Sequence, residues 1–183
     1  MNPTAINAAA RLFENGTAGH TAIECGARQI SYGELRESVA RAGGAWRALG
    51  LGGDERVAVF APDGIDWVTA YLGAIWAGGV AIGINPRLSM ADLAPILVES
   101  EVRFVWTTAE LAPQVAALAQ TLARPPLVIA VAAVPAQRGS RDWGAACAAA
   151  TAMAPVLRAT DDMALWIGTS GTTGTPKGVI HTQ

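Results

Sequence analysis

Lysine is almost absent from this sequence. Lys177 is the only one among 13 basic residues, and all the others are arginine. Charge of either sign is sparse, at 15% of residues, and it nearly cancels to −2. No basic run exists, which argues against a nucleic-acid partner. Cysteine and histidine number 2 each. Cys25 and Cys147 lie far apart and His20 and His181 are unclustered, so the spacing supports neither a zinc site nor a disulfide scaffold. A reduced, cytoplasmic setting is expected. Residues 1–13 carry no basic n-region ahead of their apolar positions, so no signal peptide is expected. A single uncharged run, Trp67 to Ile84, approaches the length of a membrane span. Gly78-Gly79 divides it into a helix of about a dozen residues and a short strand, as in a buried α/β unit, so no span is predicted.

Apolar residues make up 51% of the 183 positions. That is a folded composition with enough chain for one substantial core and the start of a second. Ile6, Ala9, Ala10 and Phe13 mark one face of an opening helix that stops at Asn15-Gly16. Thr21 to Cys25 and Gln29-Ile30 are predicted strands around Gly26-Ala27-Arg28. Ser31 and Glu34 form a capping box for a helix whose apolar stripe is Leu35, Val39, Ala42, Trp46 and Leu49. Gly50 ends it in the left-handed region, with Leu51 folding back. Strands are predicted at Arg56 to Ala61, Val80 to Ile84, Val102 to Thr107 and Leu127 to Val131. Helices are predicted from Asp63, from Ser89 to Val98 and from Glu110 to Ala123. Val134 to Asp142 is predicted to be a loop, and the Ala-rich Trp143 to Met153 a weak helix. This alternation implies an α/β fold with a largely parallel sheet flanked by helices.

The lone lysine sits within Thr169-Ser170-Gly171-Thr172-Thr173-Gly174-Thr175-Pro176-Lys177-Gly178. Glycines let backbone amides approach an anion closely, hydroxyls add donors, and an ammonium on a flexible stem suits a phosphate that changes during reaction. Three familiar phosphate loops do not fit. A Walker A loop needs Gly before the lysine and Ser or Thr after it. Here Pro176 and Gly178 hold those places. The Gly171, Gly174, Gly178 spacing also fails G-x-G-x-x-G, whether in dinucleotide-binding folds or in protein kinases. Pro176 steers Thr175 away from helical geometry. Met163 to Ile167 and Gly178 to His181 are extended in pattern, which predicts strand, mobile loop, strand, with Ser170 to Thr175 the mobile part. A flexible linker is the plain alternative, but a linker does not need apolar flanks.

The segment from Thr169 to Gly178, followed by Val179-Ile180-His181, resembles the phosphate-loop signature of the adenylate-forming enzymes. That superfamily includes acyl- and aryl-CoA synthetases, adenylation domains of peptide synthetases and beetle luciferases. Ile30-Ser31-Tyr32-Gly33-Glu34-Leu35 and the stretch Leu72 to Pro86 resemble two further family segments in the right order. The resemblance runs over residues 5–183. It implies the first part of a large N-terminal AMP-binding domain, with residues 1–183 ending just after the phosphate loop and a C-terminal domain absent. It implies attack of a small carboxylic acid on ATP, then transfer of the acyl group to a thiol, with ATP, Mg²⁺ and coenzyme A as cofactors of the full-length enzyme. None of these is expected to bind tightly to this chain, and the chain alone is expected to be inactive.

The same resemblance places Lys177 as the catalytic residue at the β/γ-phosphates. Thr169, Ser170, Thr172 and Thr173 would donate hydroxyls, and Gly171 and Gly174 would present amides. No metal ligand is assigned. Asp162, Leu165 and Trp166 before the loop, with Val179-Ile180-His181 behind it, most resemble benzoate-type CoA ligases. Alternatives are an adenylation domain serving a carrier protein, a non-catalytic nucleotide- or anion-binding module, and a structural domain with a Gly/Ser/Thr hinge. An uncovered sheet edge would favour self-association. Elsewhere the plainer readings are preferred: His181 as packing or surface, Trp46 as core, and Asp161-Asp162 as a solvated turn. Trp166 is left open between core and pocket wall.

Overall fold

The computed structural model describes residues 5–131, 140–169 and 177–183. The chain opens with β1 (Ala5–Ile6), α1 (Ala8–Arg11), β2 (Thr21–Cys25) and β3 (Arg28–Ser31). Then come α2 (Tyr32–Ala48), β4 (Arg56–Phe60), α3 (Ile65–Trp76), β5 (Val80–Ile84) and α4 (Met90–Glu99). They are followed by β6 (Phe104–Thr108), α5 (Ala112–Thr121), β7 (Leu127–Val131), β8 (Ser140–Asp142) and α6 (Trp143–Ala149). The last are β9 (Arg158–Ala159), β10 (Met163–Thr169) and β11 (Lys177–Thr182). A 7-stranded sheet runs in the order β11-β10-β5-β4-β6-β7-β8. Every neighbouring pair in it is parallel except β10 with β11. Two antiparallel ribbons, β1 with β9 and β2 with β3, stand apart from it.

The main strands are almost continuously apolar because helices cover both faces. Period-2 geometry then sorts the residues. Val57 and Val59 of β4, with Phe104 and Trp106 of β6, join the core under α2, α3 and α6. Ala58 and Phe60, with Ile82, Val105 and Val128, join a second core under α4 and α5. The α2 stripe is buried at Leu35, Val39, Ala42 and Trp46. Trp46 is a core residue, its indole Nε1–H donating to the Ala70 carbonyl at 3.0 Å.

The capping box at Ser31 and Glu34 forms as the spacing predicts. At the other end of α2, Gly50 has φ 96°. Gly50 N–H donates to Arg47 O at 3.0 Å and Leu51 N–H to Trp46 O at 2.9 Å. This paired closure satisfies carbonyls the helix leaves free. Gly78, φ 85°, ends α3 the same way through Gly78 to Ile75 and Gly79 to Ala74. The uncharged run from Trp67 is therefore a helix and a strand. Among the described residues no helix is long and apolar enough to cross a membrane.

Several boundaries differ from expectation, among them the weak helix from Trp143, which ends at Ala149 and not at Met153. The opening helix shrinks to α1, because Ile6 belongs to β1 and pairs with Arg158. Asn7, 1% exposed, caps it. The Asn7 side-chain amide also donates to the carbonyls of Ile75 at 2.8 Å and Val156 at 2.9 Å, so tertiary contacts fix this segment. The helix expected from Asp63 has Gly64 as its cap. Ser140 to Asp142, expected as loop, is β8, parallel to Val128–Ala130. An edge strand needs backbone partners more than apolar side chains, so composition does not mark it. The part of that expected loop from 134 to 139 lies outside the described residues.

Gly43-Gly44 sits inside the continuous helix α2 for a steric reason. A Cβ at Gly44 would intrude on the Thr151 carbonyl oxygen, and one at Gly43 would lie 2.9 Å from the Trp76 ring. Residues 150–153 run along the helix here, with Met153 N–H donating to Ala40 O at 3.2 Å. Helix propensity alone would make Gly44→Ala stabilising by about 1 kcal/mol. The close approach reverses the sign, and we expect a net loss of about 1–3 kcal/mol. A urea midpoint that rises in the variant would show that residues 150–153 move aside freely.

Candidate functional site

Strands β10 and β11 carry the site. β10 lies parallel to β5, with Leu165 opposite Ala81 and Trp166 opposite Ile82. Leu165 packs on the α2/α3 core. Trp166 packs on the α4/α5 core, and its indole N–H approaches the Met163 sulfur at 3.4 Å. Half-buried Trp166 is thus anchored from below by core contact. β11 returns antiparallel, pairing Trp166 with Ile180, Ile167 with Val179, Gly168 with Gly178 and Thr169 with Lys177.

The last pair matters most. Residues directly opposite in an antiparallel ladder have Cα atoms about 4.5–5.5 Å apart. The backbones at Thr169 and Lys177 therefore stand side by side at the mouth of the connection. The strand-connection-strand expectation holds at both ends. Ser170, Gly171, Thr172, Thr173 and Gly174, with the mobility expected of Ser170 to Thr175, lie outside the described residues. For Thr169 and Lys177 the description is of the backbone.

The mouth opens at the carboxyl edge of the parallel strands. The connection after β4 leads to α3 on one face, while that after β5 leads to α4 on the other. Such a change of side leaves a crevice at the strand ends where open α/β sheets take ligands. Thr107, fully buried, donates its hydroxyl to the Phe60 carbonyl at 2.7 Å and ties two of these strand ends together. Sequence reasoning did not single it out, since a threonine in an apolar strand carries no signal of a cross-strand bond.

Next to β10, Gly83 makes room for an aromatic pair. Trp67 and Tyr71 stack with centroids 4.7 Å apart and planes 12° from parallel. A Cβ on Gly83 would sit 3.0 Å from Trp67 Cζ2. Burial pushes the Tyr71 hydroxyl up to about 12, so it stays protonated and is no general base near neutrality. Burial likewise pushes the Cys147 thiol up to about 11, which leaves it a weak nucleophile.

The plainer readings hold elsewhere. His181 is exposed on β11. Asp162 accepts from the Arg158 guanidinium at 2.9 Å and from the Ala159 amide at 3.1 Å, as a turn residue does. Among the described residues no group of His, Cys, Asp and Glu could hold a metal ion. An open hollow of about 910 Å³ lies at the opposite, amino-terminal strand ends, lined by Arg56, Glu101, Arg103 and Leu127. Arg56 pairs there with Glu101 at 2.7 Å and Arg103 with Glu55 at 3.2 Å. The hollow is far from the hairpin mouth, and these two charged pairs occupy each other.

Comparison with known proteins supplies the context. The profile of the family described as AMP-binding enzyme matches residues 11–183. The 3-hydroxybenzoate–CoA ligase of Aromatoleum sp. (strain CIB) is 36% identical over 183 residues, covering 98% of this chain and 35% of that protein. A benzoate CoA ligase structure from Burkholderia xenovorans LB400 superposes with a TM-score of 0.80 at 29% identity, over 97% of this chain and 34% of the other. ATP-bound MatB from Rhodopseudomonas palustris gives 0.80 at 29% identity, over 97% and 35%. The chain spans about a third of the length of the curated relatives it matches.

Proposed function

Because this chain belongs to the AMP-binding enzyme family, we propose that it forms the first part of the large N-terminal domain of an ATP-dependent carboxylate–CoA ligase. Supporting that reading above all is the hairpin mouth, which holds the lone lysine's backbone against Thr169 at the carboxyl edge of the sheet. The substrate acid is proposed to be a small aromatic carboxylate, since hydroxybenzoate and benzoate ligases are among the similar proteins. Coenzyme A is the proposed thiol, because those relatives are named as CoA ligases; a carrier-protein thiol is the alternative. The setting is proposed to be the cytoplasm.

The chemistry is two displacements. A carboxylate oxygen attacks the α-phosphorus of ATP, the bond to the β-phosphate's bridging oxygen breaks, and pyrophosphate leaves with the electron pair. The thiol sulfur then attacks the acyl carbon and AMP leaves. In the first step two anions meet and charge grows on the departing pyrophosphate, so pre-aimed donors and a cation lower the barrier. Lys177 is proposed to supply the cation at the β/γ-phosphates. Thr169, Ser170, Thr172 and Thr173 are proposed to donate hydroxyls, and Gly171 and Gly174 amides. Mg²⁺ would offset phosphate charge. The described residues offer no carboxylate cluster for it, and no step here is assigned through it.

The test is carboxylate-dependent exchange of pyrophosphate into ATP. The 183-residue chain is expected to show no exchange above a Lys177→Ala control, because the donors of its hairpin are only part of what adenylation requires. A polypeptide carrying the relatives' remaining length should exchange with benzoate or a hydroxybenzoate. Exchange by the 183-residue chain well above its control would refute the assignment as one part of a larger site. No exchange with any carboxylate in the longer polypeptide would favour the non-catalytic nucleotide-binding alternative.

A further inference from the structure

The hairpin that carries Lys177 holds two registers. At its base Met163 lies opposite Thr182. From Leu165 with His181 to Thr169 with Lys177 the ladder is regular but displaced by one residue. β10 advances two residues where β11 advances one, so Ala164 is the extra residue of a bulge. The side chains agree. Ala164, fully buried, and its neighbour Leu165 both join the α2/α3 core. Met163 and Trp166, three apart, meet through sulfur and indole N–H at 3.4 Å. In a strand without a bulge, adjacent residues and residues three apart take opposite faces. β11 has no matching extra residue, so its faces alternate without a break and Lys177 shares a face with Val179 and His181.

Gln183 follows directly after β11 and ties it to other parts of the fold. Its backbone N–H donates to Asp162 O at 3.0 Å. Its side-chain amide donates to Met163 O at 3.2 Å, and its Oε1 accepts from Ala8 N–H at 2.9 Å. Ala8 packs on the α2/α3 core, so the Gln183 side chain reaches to the Leu165 face. Little else chooses a face for β11. Val179 and Ile180 offer an apolar side chain to each face, so a one-residue slip merely exchanges them. The connection, residues 170–176, is longer than the two-residue turns whose geometry dictates register. We propose that Gln183 is a positioning residue for Lys177. By holding α1 it fixes the face and register of β11, and the bulge at Ala164 lets the ladder close in that register. A slip that carried the Met163–Thr182 register to the mouth would set Lys177 opposite Gly168 and turn it to the Trp166 face. Gln183 would then turn away from Ala8. The consequence for catalysis rests on the ligase reading; the register does not.

The test pairs a register measurement on the 183-residue chain with pyrophosphate exchange in a polypeptide of the relatives' length. Nuclear Overhauser contacts in the unsubstituted chain should join Trp166 to Ile180 and Gly168 to Gly178. Gln183→Met keeps the side chain's length without its hydrogen bonds. In it, and in Gln183→Ala, a second set of contacts should join Trp166 to Val179 and Gly168 to Lys177. Exchange should fall about three- to tenfold in both variants, as the competent register becomes a minority. Gln183→Glu keeps the oxygen that accepts from Ala8, and should restore a single register and most of the rate. A loss of stability alone would not create the second contacts. A single native register in both Gln183→Ala and Gln183→Met overturns the proposal, and so does a slipped register with undiminished exchange. No exchange in the unsubstituted longer polypeptide refutes the ligase reading, while the contacts still decide whether Gln183 sets the register.

Discussion

Replacing Lys177 with alanine is expected to slow adenylate formation about ten- to a thousand-fold in a polypeptide of the relatives' full length, the scale for losing one preorganised transition-state donor. The proposed role predicts an unequal effect on the two half-reactions. The ammonium matters most while charge builds on departing pyrophosphate, and little when a thiol attacks a preformed acyl-adenylate. Lys177→Arg should recover only part of the rate. A planar guanidinium fork does not reproduce a compact charge on a flexible stem. Single-turnover kinetics of each half-reaction make the measurement. Equal losses in both would mean that Lys177 supports the site as a whole, and the specific electrostatic role would fall. The backbone pairing of Thr169 with Lys177 sharpens the test. A role in charge alone predicts that substitution at the first residue of β11 leaves the thermal midpoint nearly unchanged, so a large stability loss would also count against the role.

Trp46→Ala is expected to have the largest effect on stability, about 3–5 kcal/mol. Trp46 is fully buried. It meets the ring of Phe104 at 5.6 Å and that of Trp143 at 4.7 Å. Its indole N–H also donates to the Ala70 carbonyl at 3.0 Å. One side chain therefore joins α2, α3, β6 and α6, and its removal leaves a cavity that four elements would have to close together. For a chain of this length the loss corresponds to a fall of roughly 6–20 °C in thermal midpoint. Trp46→Phe should cost less, since a ring stays in place and only part of the volume and the hydrogen bond go. Calorimetry of both variants decides the matter. A loss near zero in Trp46→Ala would show that the core under α2 repacks readily.

Ser31 with Glu34, Gly50 with Leu51, and the uncharged run broken at Gly78-Gly79 were legible because each is a local rule. A cap, a left-handed turn or a change of period depends on residues within a few positions of one another. The alternation from residue 56 onward led to the parallel sheet for the same reason, since continuous apolar strands between amphipathic helices have few other ways to be covered. The lone lysine among glycines, hydroxyls and a proline located the candidate site, because that chemistry is written in side-chain types.

Other features depend on which distant segments meet. Gly43-Gly44 in mid-helix looks unfavourable until Thr151 and Trp76 are brought against it. Asn7 looks like a short cap until its amide reaches Ile75 and Val156. β8 has no strand composition and exists because Val128 to Ala130 offer it a ladder. That Thr169 and Lys177 stand opposite each other is likewise a matter of register, set by the pairing of Trp166 with Ile180 and of Ile167 with Val179. The sequence by itself determined the local elements, the fold class and the residue types at the site, because these follow from short-range sterics, periodicity and chemistry. Only the tertiary structure decided strand order, the close approaches that require glycine, and the register at the hairpin mouth, because each is a contact between residues that the chain places far apart.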